Sequence, residues 1–433
     1  MKRVRLTTKA HLIRGAFYEL VLLAASVVLV AFSPQQTRAQ SCTGWSAGPD
    51  MPSTGVRMVG VFFPVNGKFY AVGGRSMDGS GNDFAHPFEY DPNTNSWAIK
   101  SATYPDNQVS NMACGVLNNS GTDYIYCVGG SAGGQTTAAA RVFRYNPTTD
   151  TIESIDAPWP GDSDGITLPG GFAVLNNKLY ILGGFRINTA MTNQIWEFTP
   201  TTNVWALKNA LLPVARGYLP ARTIWSFPNS YRIYTGGGSD WNGTTLVDTS
   251  DSFSYDPVPD SITTIANIPR ATGETGAVAW GAPKSSQEML VMGGGRTPPN
   301  PSNEVNDYSP FGNQWFAGGH FMIARRNFAV DSDGGCGFSA GHIWLAGGYA
   351  SDGTPLSSME IYCEQCFQGT PTATPTISPT PTATHTPTPT VTATATATVT
   401  ATVTATPTIT PRATPTPRSL PTPRSRPTPA PRP

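Results

Sequence analysis

A sixfold repeat between residues 69 and 348 constrains the fold of this chain more than any other feature. In each copy an apolar stretch ends in a pair of glycines, and the first glycines of successive pairs are 56, 54, 53, 57 and 54 residues apart. The six stretches are 69–74, 125–130, 179–184, 233–237, 289–294 and 343–348. A nearly constant period of this length is typical of a fold built from copies of one supersecondary unit.

A second signal follows each glycine pair and extends the unit. Aromatic residues precede a turn sequence such as Asp-Pro or Asn-Pro, as in 88–92 and 143–147, and several copies then have a Trp, such as Trp97 and Trp205. Asp and Asn cap such turns and Pro fixes φ, so each signal predicts a hairpin. With one further apolar segment before each glycine pair, every period supplies about four strands, which is one blade of a β-propeller.

The double glycine, the following aromatic residue and the Trp together resemble the kelch repeat over roughly residues 41–363. This resemblance implies an all-β, six-bladed kelch-type β-propeller. The second and fourth copies have Ile152 and Ile262 where the Trp is expected, so we predict looser packing there but no missing blade. We interpret the glycines as fold residues that let neighbouring blades approach closely, and not as a phosphate-binding loop.

The N-terminal strand is predicted to close the ring. The last glycine pair is followed by a strand at 359–363, but no Trp-containing strand comes after it. The sequence 41–45, which ends in Trp45, looks like such a strand with no partners before it. We therefore expect this segment to complete the sixth blade, which leaves no open sheet edge.

Both ends of the chain differ from the repeat region. Residues 1–39 combine a basic start, an apolar middle and small residues before a cleavage site, which predicts a signal peptide, with an N-terminal membrane anchor as the alternative. Residues 368–433 are nearly all Thr, Pro and Ala and predict a disordered, semi-stiff tail that suits O-glycosylation. The propeller is assigned to 40–367. We expect a secreted or cell-envelope protein with no membrane span after cleavage and a monomeric propeller.

The distribution of charge excludes one class of partner. The chain has 28 basic and 28 acidic residues, but 11 of the basic ones lie in the two ends. The region 40–369 therefore has 17 basic and 27 acidic residues, a net charge of −10. Because a surface of this sign repels phosphates, we expect no binding to nucleic acid.

One pair of cysteines is predicted to bridge a hairpin. All six cysteines follow the predicted cleavage site, and an even number in an exported protein favours disulfides. A turn near 119–121 would place Leu117 opposite Tyr124. Three residues further from the turn, Cys114 would then face Cys127, so we predict a cross-strand disulfide between them.

The other cysteines include two at the seam of the ring. A disulfide from Cys42 to Cys363 or Cys366 would close a loop of over 300 residues, worth roughly 5 kcal/mol in the chain-entropy treatment. Cys336 would pair with the cysteine that remains. A metal site at 363–366 is the alternative, but no second Cys pair or His pair completes it. We expect no metal and no cofactor.

Charged residues before the first strands of the blades suggest a ligand site at the channel mouth. The basic residues are Arg57, Arg216, Arg270 and Arg325 in blades one, four, five and six, and the acidic residues are Asp106, Asp162 and Asp164 in blades two and three. A guanidinium group binds a carboxylate through two parallel hydrogen bonds, so a basic arc suits an acidic ligand. The alternative is that these arginines tie adjacent blades together by donating to backbone carbonyls.

Other motifs give weaker signals. The segment 78–83 resembles the start of a calcium loop with Glu89 at the twelfth position, but it lacks Gly at the sixth, so a solvated blade loop is preferred. The fold also resembles the galactose oxidase propeller, but His86, His320 and His342 form no cluster that would support copper chemistry.

These observations favour a non-catalytic binding module that recognises a glycan or a protein at the channel mouth. A sugar-modifying enzyme is the first alternative, because the chain resembles the exported kelch-type sialic-acid mutarotase in size, although no catalytic residue can be matched. A structural envelope protein without a small ligand is the second alternative. Fold alone does not decide between them.

Overall fold

The structure is a computed structural model that describes residues 43–226, 228, 230–281, 287–297, 300–335 and 341–364. The predicted signal peptide (1–39) and tail (368–433) lie outside the described residues. Strands are the main secondary structure of the described part, and its one helical element is a 3-10 turn at Pro160–Asp162. None of its residues belongs to a helix that is long and apolar enough to cross a membrane.

Six antiparallel sheets of four strands form the six blades of a β-propeller. Strand β1 (Thr43–Ala47) belongs to the last blade. Blade 1 contains β2 (Val59–Phe63), β3 (Lys68–Val72), β4 (Phe88–Asp91) and β5 (Ser96–Ile99). Blade 2 contains β6 (Ala113–Asn119), β7 (Thr122–Val128), β8 (Val142–Asn146) and β9 (Thr151–Ile155). Blade 3 contains β10 (Thr167–Leu175), β11 (Lys178–Arg186), β12 (Ala190–Thr199) and β13 (Val204–Leu211).

The second half of the ring repeats this order. Blade 4 contains β14 (Ala221–Ser226), β15 (Ser230–Thr235), β18 (Phe253–Asp256) and β19 (Ser261–Thr264), with a separate hairpin of β16 (Gly238–Trp241) and β17 (Leu246–Thr249). Blade 5 contains β20 (Ala277–Trp280), β21 (Glu288–Gly294), β22 (Ser302–Ser309) and β23 (Gln314–Ala317). Blade 6 contains β24 (Ala329–Ser332), β25 (Gly341–Ala346) and β26 (Met359–Glu364).

The N-terminal strand closes the ring, as the sequence predicted. Strand β1 pairs with β26, and Trp45 lies opposite Tyr362. The first strands of all six blades contact one another in a closed circle around the axis. Apolar side chains fill the space between blades, with a buried cluster shared by each neighbouring pair. The core is therefore a ring of blade-to-blade contacts around a central channel.

The glycine pairs are needed where consecutive blades touch. Gly183 has φ of 64°, and a Cβ atom on it would lie 2.2 Å from the carbonyl oxygen of Arg216 in the next blade. The following residue, Gly184, donates its N–H to that same carbonyl at 3.0 Å. Gly347 meets Gly55 in the same way, with a Cβ-to-oxygen distance of 2.3 Å. These contacts agree with the interpretation of the glycines as fold residues.

Neighbouring blades are joined by an outer Trp, by a side chain of the turn, or, as in blade 5, by both. The indole N–H of Trp205 donates to the carbonyl oxygen of Ala157 in the preceding blade at 2.9 Å, and Trp97 and Trp315 make equivalent bonds. Blades 2 and 4 have Ile152 and Ile262 instead. There a turn carboxylate, Asp150 or Asp260, accepts backbone N–H groups of the preceding blade, with shortest bonds of 2.8 Å. The Trp-less blades thus retain a hydrogen-bonded link.

The predicted hairpin disulfide is present. Leu117 lies opposite Tyr124, and Cys114 lies opposite Cys127, to which it is disulfide-bonded. Cys363 on β26 is also disulfide-bonded. The predicted pairing of Cys42 with Cys363 or Cys366, and of Cys336 with the cysteine that remains, involves residues outside the described parts of the chain.

One blade contains a pair of acidic groups where two others contain ion pairs. In blade 1 the Glu89 carboxylate accepts hydrogen bonds from Lys68 at 2.7 Å and from Tyr70 at 2.6 Å. Blade 3 repeats this arrangement around Glu197. In blade 5 the position of the lysine is occupied by Glu288, which faces Asp307. Burial and the nearby negative charge of Glu288 raise the pKa of Asp307 to about 8.

This carboxyl pair should make the blade less stable at alkaline pH. The pKa of Asp307 is raised above its ordinary value near 4, so its stabilising contribution is present in acid and is lost as the pH rises toward 8. We expect Asp307→Asn to raise the free energy of unfolding by about 2 kcal/mol at pH 9 and to change it little at pH 4. Urea unfolding at both pH values measures this.

A second substitution tests whether the effect of Asp307→Asn comes from charge and not from the altered side chain. Glu288→Lys would recreate in blade 5 the ion pair found in blades 1 and 3, and should also stabilise the protein at pH 9. If both variants shift stability equally at pH 4 and pH 9, then the carboxyl pair is not the cause.

Candidate ligand site at the channel mouth

The inner strands of the blades enclose a central channel of about 520 Å³. A second cavity, of about 330 Å³, lies at one end and is lined by loops that follow the second strands. Arg57, Asn111 and Tyr218 line both cavities, so they mark the level where the channel opens. We call the second cavity and its rim the channel mouth.

A belt of unusual backbone conformations holds side chains at this level. Five residues before the first strands of their blades have positive φ between 48° and 61°: Arg57, Asn111, Tyr218, Glu274 and Asn327. Backbone hydrogen bonds join several of them across blades, from Asn327 to Glu274 at 2.7 Å, from Arg57 to Asn327 at 2.8 Å and from Asn111 to Arg57 at 3.0 Å. Positive φ costs energy in a residue with a side chain and is concentrated at functional sites. The belt places five side chains of four residue types around the channel at this level.

Glu274 is the centre of a buried ion-pair network at the mouth. Its side chain is fully buried. Arg296 donates to both of its carboxylate oxygens at 2.7 Å, and Arg326 donates to one of them at 2.8 Å. Burial by itself would raise the pKa of the Glu274 carboxyl, but the charges and hydrogen bonds of these arginines outweigh it and lower the pKa to about 2. Glu274 is therefore ionised at any physiological pH, and it fixes two guanidinium groups in place.

A second group of arginines surrounds a tyrosine on the same side of the mouth. Arg57 donates from Nε to the hydroxyl oxygen of Tyr349 at 3.1 Å, and that hydroxyl donates to Asp78 at 2.7 Å. Asp78 also pairs with Arg75 at 3.1 Å and with Arg57 at 3.5 Å. The guanidinium of Arg326 lies 4.5 Å from the centre of the Tyr349 ring. Blades 1, 5 and 6 together contribute four arginines and two carboxylates to this side.

The opposite side of the mouth contains an apolar and aromatic wall next to polar loop residues. Strands β11 and β12 of blade 3 extend beyond those of the other blades, and the β16–β17 hairpin of blade 4 lies beside them. Their side chains include Phe185, whose ring centre is 5.8 Å from that of Tyr218 and 5.7 Å from that of Trp241. Ile187 and Leu246 complete this wall. The mouth is thus cationic on one side and aromatic on the other.

The structure separates Arg57 from the other three arginines of the predicted arc. Arg216 is buried and pairs with Asp251 and Asp240. Arg270 donates to Glu304, Asn300 and the carbonyl oxygen of Gly293. Arg325 is fully buried and donates to the carbonyl oxygens of Gly347 and Ser358 and to Glu360. These three side chains bond to groups of the fold itself. Arg270 and Arg325 donate to backbone carbonyls, as the alternative expected, whereas Arg216 is held mainly by carboxylates.

The reason for this separation is a difference of position within the repeat. The carbonyl oxygens of Arg216 and Arg325 each accept the N–H of a glycine in the preceding blade, as the carbonyl oxygen of Gly55 does. Arg216 and Arg325 are therefore equivalent to Gly55. Arg57 comes two residues later, at the belt position.

The acidic half of the predicted arc has local roles. Asp106 pairs with Arg141 at 2.9 Å and accepts the N–H of Gln108. Asp162 is buried and accepts the N–H of Thr167 at 2.7 Å. Asp164 pairs with Arg186. The structure places none of these three carboxylates among the described residues that line the channel or its mouth.

Sequence reasoning missed most of the residues at the mouth, although one signal was available. Arg75, Arg296 and Tyr349 each follow a glycine pair or triplet directly. That position begins the loop after the second strand, and these loops form the rim. Arg326 and Glu274 had no comparable signal.

The segment that resembled a calcium loop does not gather its carboxylates. Asp78 faces the arginines of the mouth, whereas Asp83 accepts the N–H of Gly133 in blade 2 at 2.9 Å. Glu89 is bonded to Lys68 and Tyr70. The structure agrees with the interpretation of 78–83 as a blade loop.

The relatives found by comparison with known proteins that are described below are kelch proteins. No protein-family model matches the chain. It is 27% identical to the kelch-like protein terF of Aspergillus terreus over 240 residues. The aligned region is 53% of this chain and 48% of that protein. It is 31% identical over 140 residues to kelch-like protein 35 of Mus musculus, covering 32% of this chain and 21% of that protein. The chain spans about half or less of the length of these relatives.

A viral relative and a solved structure extend the comparison. Kelch repeat and BTB domain-containing protein 1 of cowpox virus is 24% identical over 246 residues, covering 56% of this chain and 38% of that protein. The structure of YjhT matches with a TM-score of 0.53 and 14% identity, covering 72% of this chain and 95% of that one, and at this identity it shows the fold alone. The six repeats form six blades, and the relatives above are kelch proteins. The chain therefore belongs to the kelch-repeat β-propeller family.

Proposed function

We propose that this chain is a non-catalytic binding protein that recognises an acidic side chain of a protein partner at the channel mouth. The observation that carries the proposal is the pairing of Arg57 and Arg75 with an aromatic wall in one concave site. Arginine and aromatic residues dominate the binding energy of protein interfaces, because they combine large contact areas with directed hydrogen bonds. The kelch relatives make a binding role the first expectation for this propeller, although fold alone does not assign it.

The charge of the site supports a carboxylate as the recognised group. Within the ion pairs of the mouth, four arginines face the two carboxylates of Asp78 and Glu274. The propeller region as a whole has a net charge of −10. A cationic patch on an acidic protein selects a small anionic group and repels extended polyanions.

The proposal includes a location outside the cytoplasm. The N-terminal pattern of 1–39 supports export, and the Thr/Pro composition of 368–433 supports display on a spacer. A protein placed outside the cytoplasm in this way would present its channel mouth to other proteins.

Binding is tested with the full-length protein and paired peptides. Acidic peptides that contain Glu or Asp should bind, and the same peptides with Gln or Asn should bind at least tenfold more weakly. Arg57→Asn should weaken binding of the acidic peptides ten- to one-hundredfold, because a charged hydrogen-bond partner is lost. Asn is the matched substitution, since Asn111 and Asn327 occupy the equivalent belt positions with the same positive φ.

Arg144→Ala serves as the control. Arg144 is bonded to Glu153 at 2.7 Å on blade 2 and does not line the mouth. Its removal should leave peptide binding unchanged. Equal losses in Arg57→Asn and Arg144→Ala, or acidic and amide peptides that bind alike, would exclude the mouth as a carboxylate site.

An acidic sugar is the second candidate. The observation in its favour is Trp241, whose ring borders a cavity of about 330 Å³ next to the arginines, a size within the range of small-molecule sites. A panel of sialic and uronic acids in the same assay distinguishes the two. Binding of sugars without binding of peptides would favour this candidate, and faster anomer exchange of a bound sugar would assign an enzyme.

A further inference from the structure

An acidic side chain of the protein itself lies on the arginines of the mouth. The Asp78 carboxylate accepts the Tyr349 hydroxyl at 2.7 Å and lies 3.1 Å from Arg75 and 3.5 Å from Arg57. These are the groups to which the proposed function assigns a ligand carboxylate. The site therefore already contains the kind of group that it is proposed to bind.

The two carboxylates of the mouth differ greatly in how firmly they are held. The Glu274 side chain is fully buried and accepts three arginine hydrogen bonds between 2.7 and 2.8 Å. The Asp78 side chain is 59% exposed. Its neighbours Met77 and Gly79 are partly or largely exposed, and Gly79 and Gly81 have positive φ in the same loop. Glu274 is thus a permanent part of the site, whereas Asp78 can leave it at small cost in packing.

Arg75 would lose its ion pair if Asp78 left and nothing replaced it, and would keep only a longer-range interaction with Asp83 among the described carboxylates. Arg75 is 6% exposed, and Asp78 is the carboxylate with which it forms an ion pair within the described ranges. Its Nε atom is buried and has no hydrogen-bond partner among the described residues. An unpaired buried guanidinium is strongly unfavourable, so departure of Asp78 requires another anion in its place.

We propose that Asp78 is an internal ligand, whose carboxylate occupies the arginine site of the free protein and is replaced by the carboxylate of the bound partner. This inference rests on the proposed function of the mouth. The exchange replaces one carboxylate with another, so the charge balance around Arg57, Arg75 and Tyr349 is kept. A neutral amide is a poor replacement, because it would remove the ion pair of the buried Arg75 guanidinium.

The ionisation of Asp78 agrees with this role. Burial would raise its pKa, but the Tyr349 hydrogen bond and the charges of Arg57, Arg75 and Arg326 outweigh burial and lower the pKa. Asp78 is therefore a carboxylate at neutral pH and competes with an incoming anion. Because the ligand must displace Asp78, the presence of Asp78 lowers the apparent affinity of the site for a ligand.

The inference is tested with 4-fluorobenzoate, a carboxylate attached to an aromatic ring, followed by ¹⁹F NMR of the full-length protein. Asp78→Asn and Asp78→Gly should each bind 4-fluorobenzoate about tenfold more tightly than the unchanged protein. The neutral probe 4-fluorobenzamide should show no such gain. Asp123→Asn is the control, since Asp123 is bonded to Asn118 in the blade 2 hairpin and does not line the mouth.

The outcomes separate this inference from the proposed function. If the unchanged protein binds 4-fluorobenzoate, Arg57→Asn abolishes binding and both Asp78 variants bind no more tightly, then the function stands and the internal ligand is wrong. If only the Asp78 variants bind measurably, then Asp78 blocks the site as proposed. If none of the proteins binds the probe, or Asp123→Asn gives the same gain, then the internal ligand is overturned.

Discussion

Replacement of Arg325 by Met is expected to lower the free energy of unfolding by about 4 kcal/mol and to leave binding at the mouth unchanged. Arg325 is fully buried and its partner Glu360 is almost so, with a separation of 2.6 Å. Removal of the guanidinium leaves the buried Glu360 carboxylate without its counter-ion, although it still accepts two backbone N–H groups. The carbonyl oxygens of Gly347 and Ser358 each lose one donor. Urea unfolding followed by tryptophan fluorescence measures the change.

The control for this prediction is an arginine in a more exposed ion pair. Arg232 pairs with Asp256 at 3.1 Å, and its side chain is 35% exposed, so Arg232→Met should cost no more than about 1 kcal/mol. The experiment also separates the two interpretations of the predicted arginine arc. An Arg325→Met protein with unchanged stability and lost ligand binding would restore Arg325 to the ligand site.

Substitution of Gly183 by Ala is expected to cost about 4 kcal/mol or to prevent folding at 37 °C. Two effects combine, because φ of 64° is unfavourable for alanine and its Cβ would lie 2.2 Å from the carbonyl oxygen of Arg216. Neither atom can move easily, since that carbonyl also accepts the N–H of Gly184 across the blade boundary. The midpoint of thermal unfolding and the yield of folded protein report the effect.

A second glycine isolates the contribution of the close approach. Gly121 has φ of 89° in the blade 2 turn, and a Cβ atom on it would meet nothing within 4 Å. Gly121→Ala therefore has only the conformational cost, about 1 kcal/mol. If Gly183→Ala is no more destabilising than Gly121→Ala, then contact between blades is not the reason for the glycine pairs.

Local signals predicted the fold well because each of them acts over a few residues. Glycine pairs, turn sequences and alternating apolar residues specify hairpins, and their period specifies the number of blades. The same local logic placed Cys114 opposite Cys127, since the turn determines which residues face each other. Strand β1 was assigned to the last blade because only that copy lacked a fourth strand.

The candidate site was predicted only in part because it joins residues far apart in the chain. Arg57 was found, but its partner Tyr349 is 292 residues away in blade 6, and Glu274 and Arg326 come from blades 5 and 6. Arg216, Arg270 and Arg325 share a residue type and an approximate location with Arg57 but not its position in the repeat. Residue type alone does not reveal whether a guanidinium faces a cavity or the carbonyl groups of the next blade.

Two adjacent arginines, Arg325 and Arg326, illustrate which features the sequence predicts and which depend on the tertiary structure. The sequence by itself determined six blades, their closure by the N-terminal strand and an arginine-rich set of loops at one end. Only the tertiary structure decided that Arg325 is bonded inside blade 6 to Glu360 while Arg326 reaches Glu274 at the mouth. Successive side chains of extended backbone point in opposite directions, so a shift of one residue exchanges a structural arginine for one that faces the ligand site.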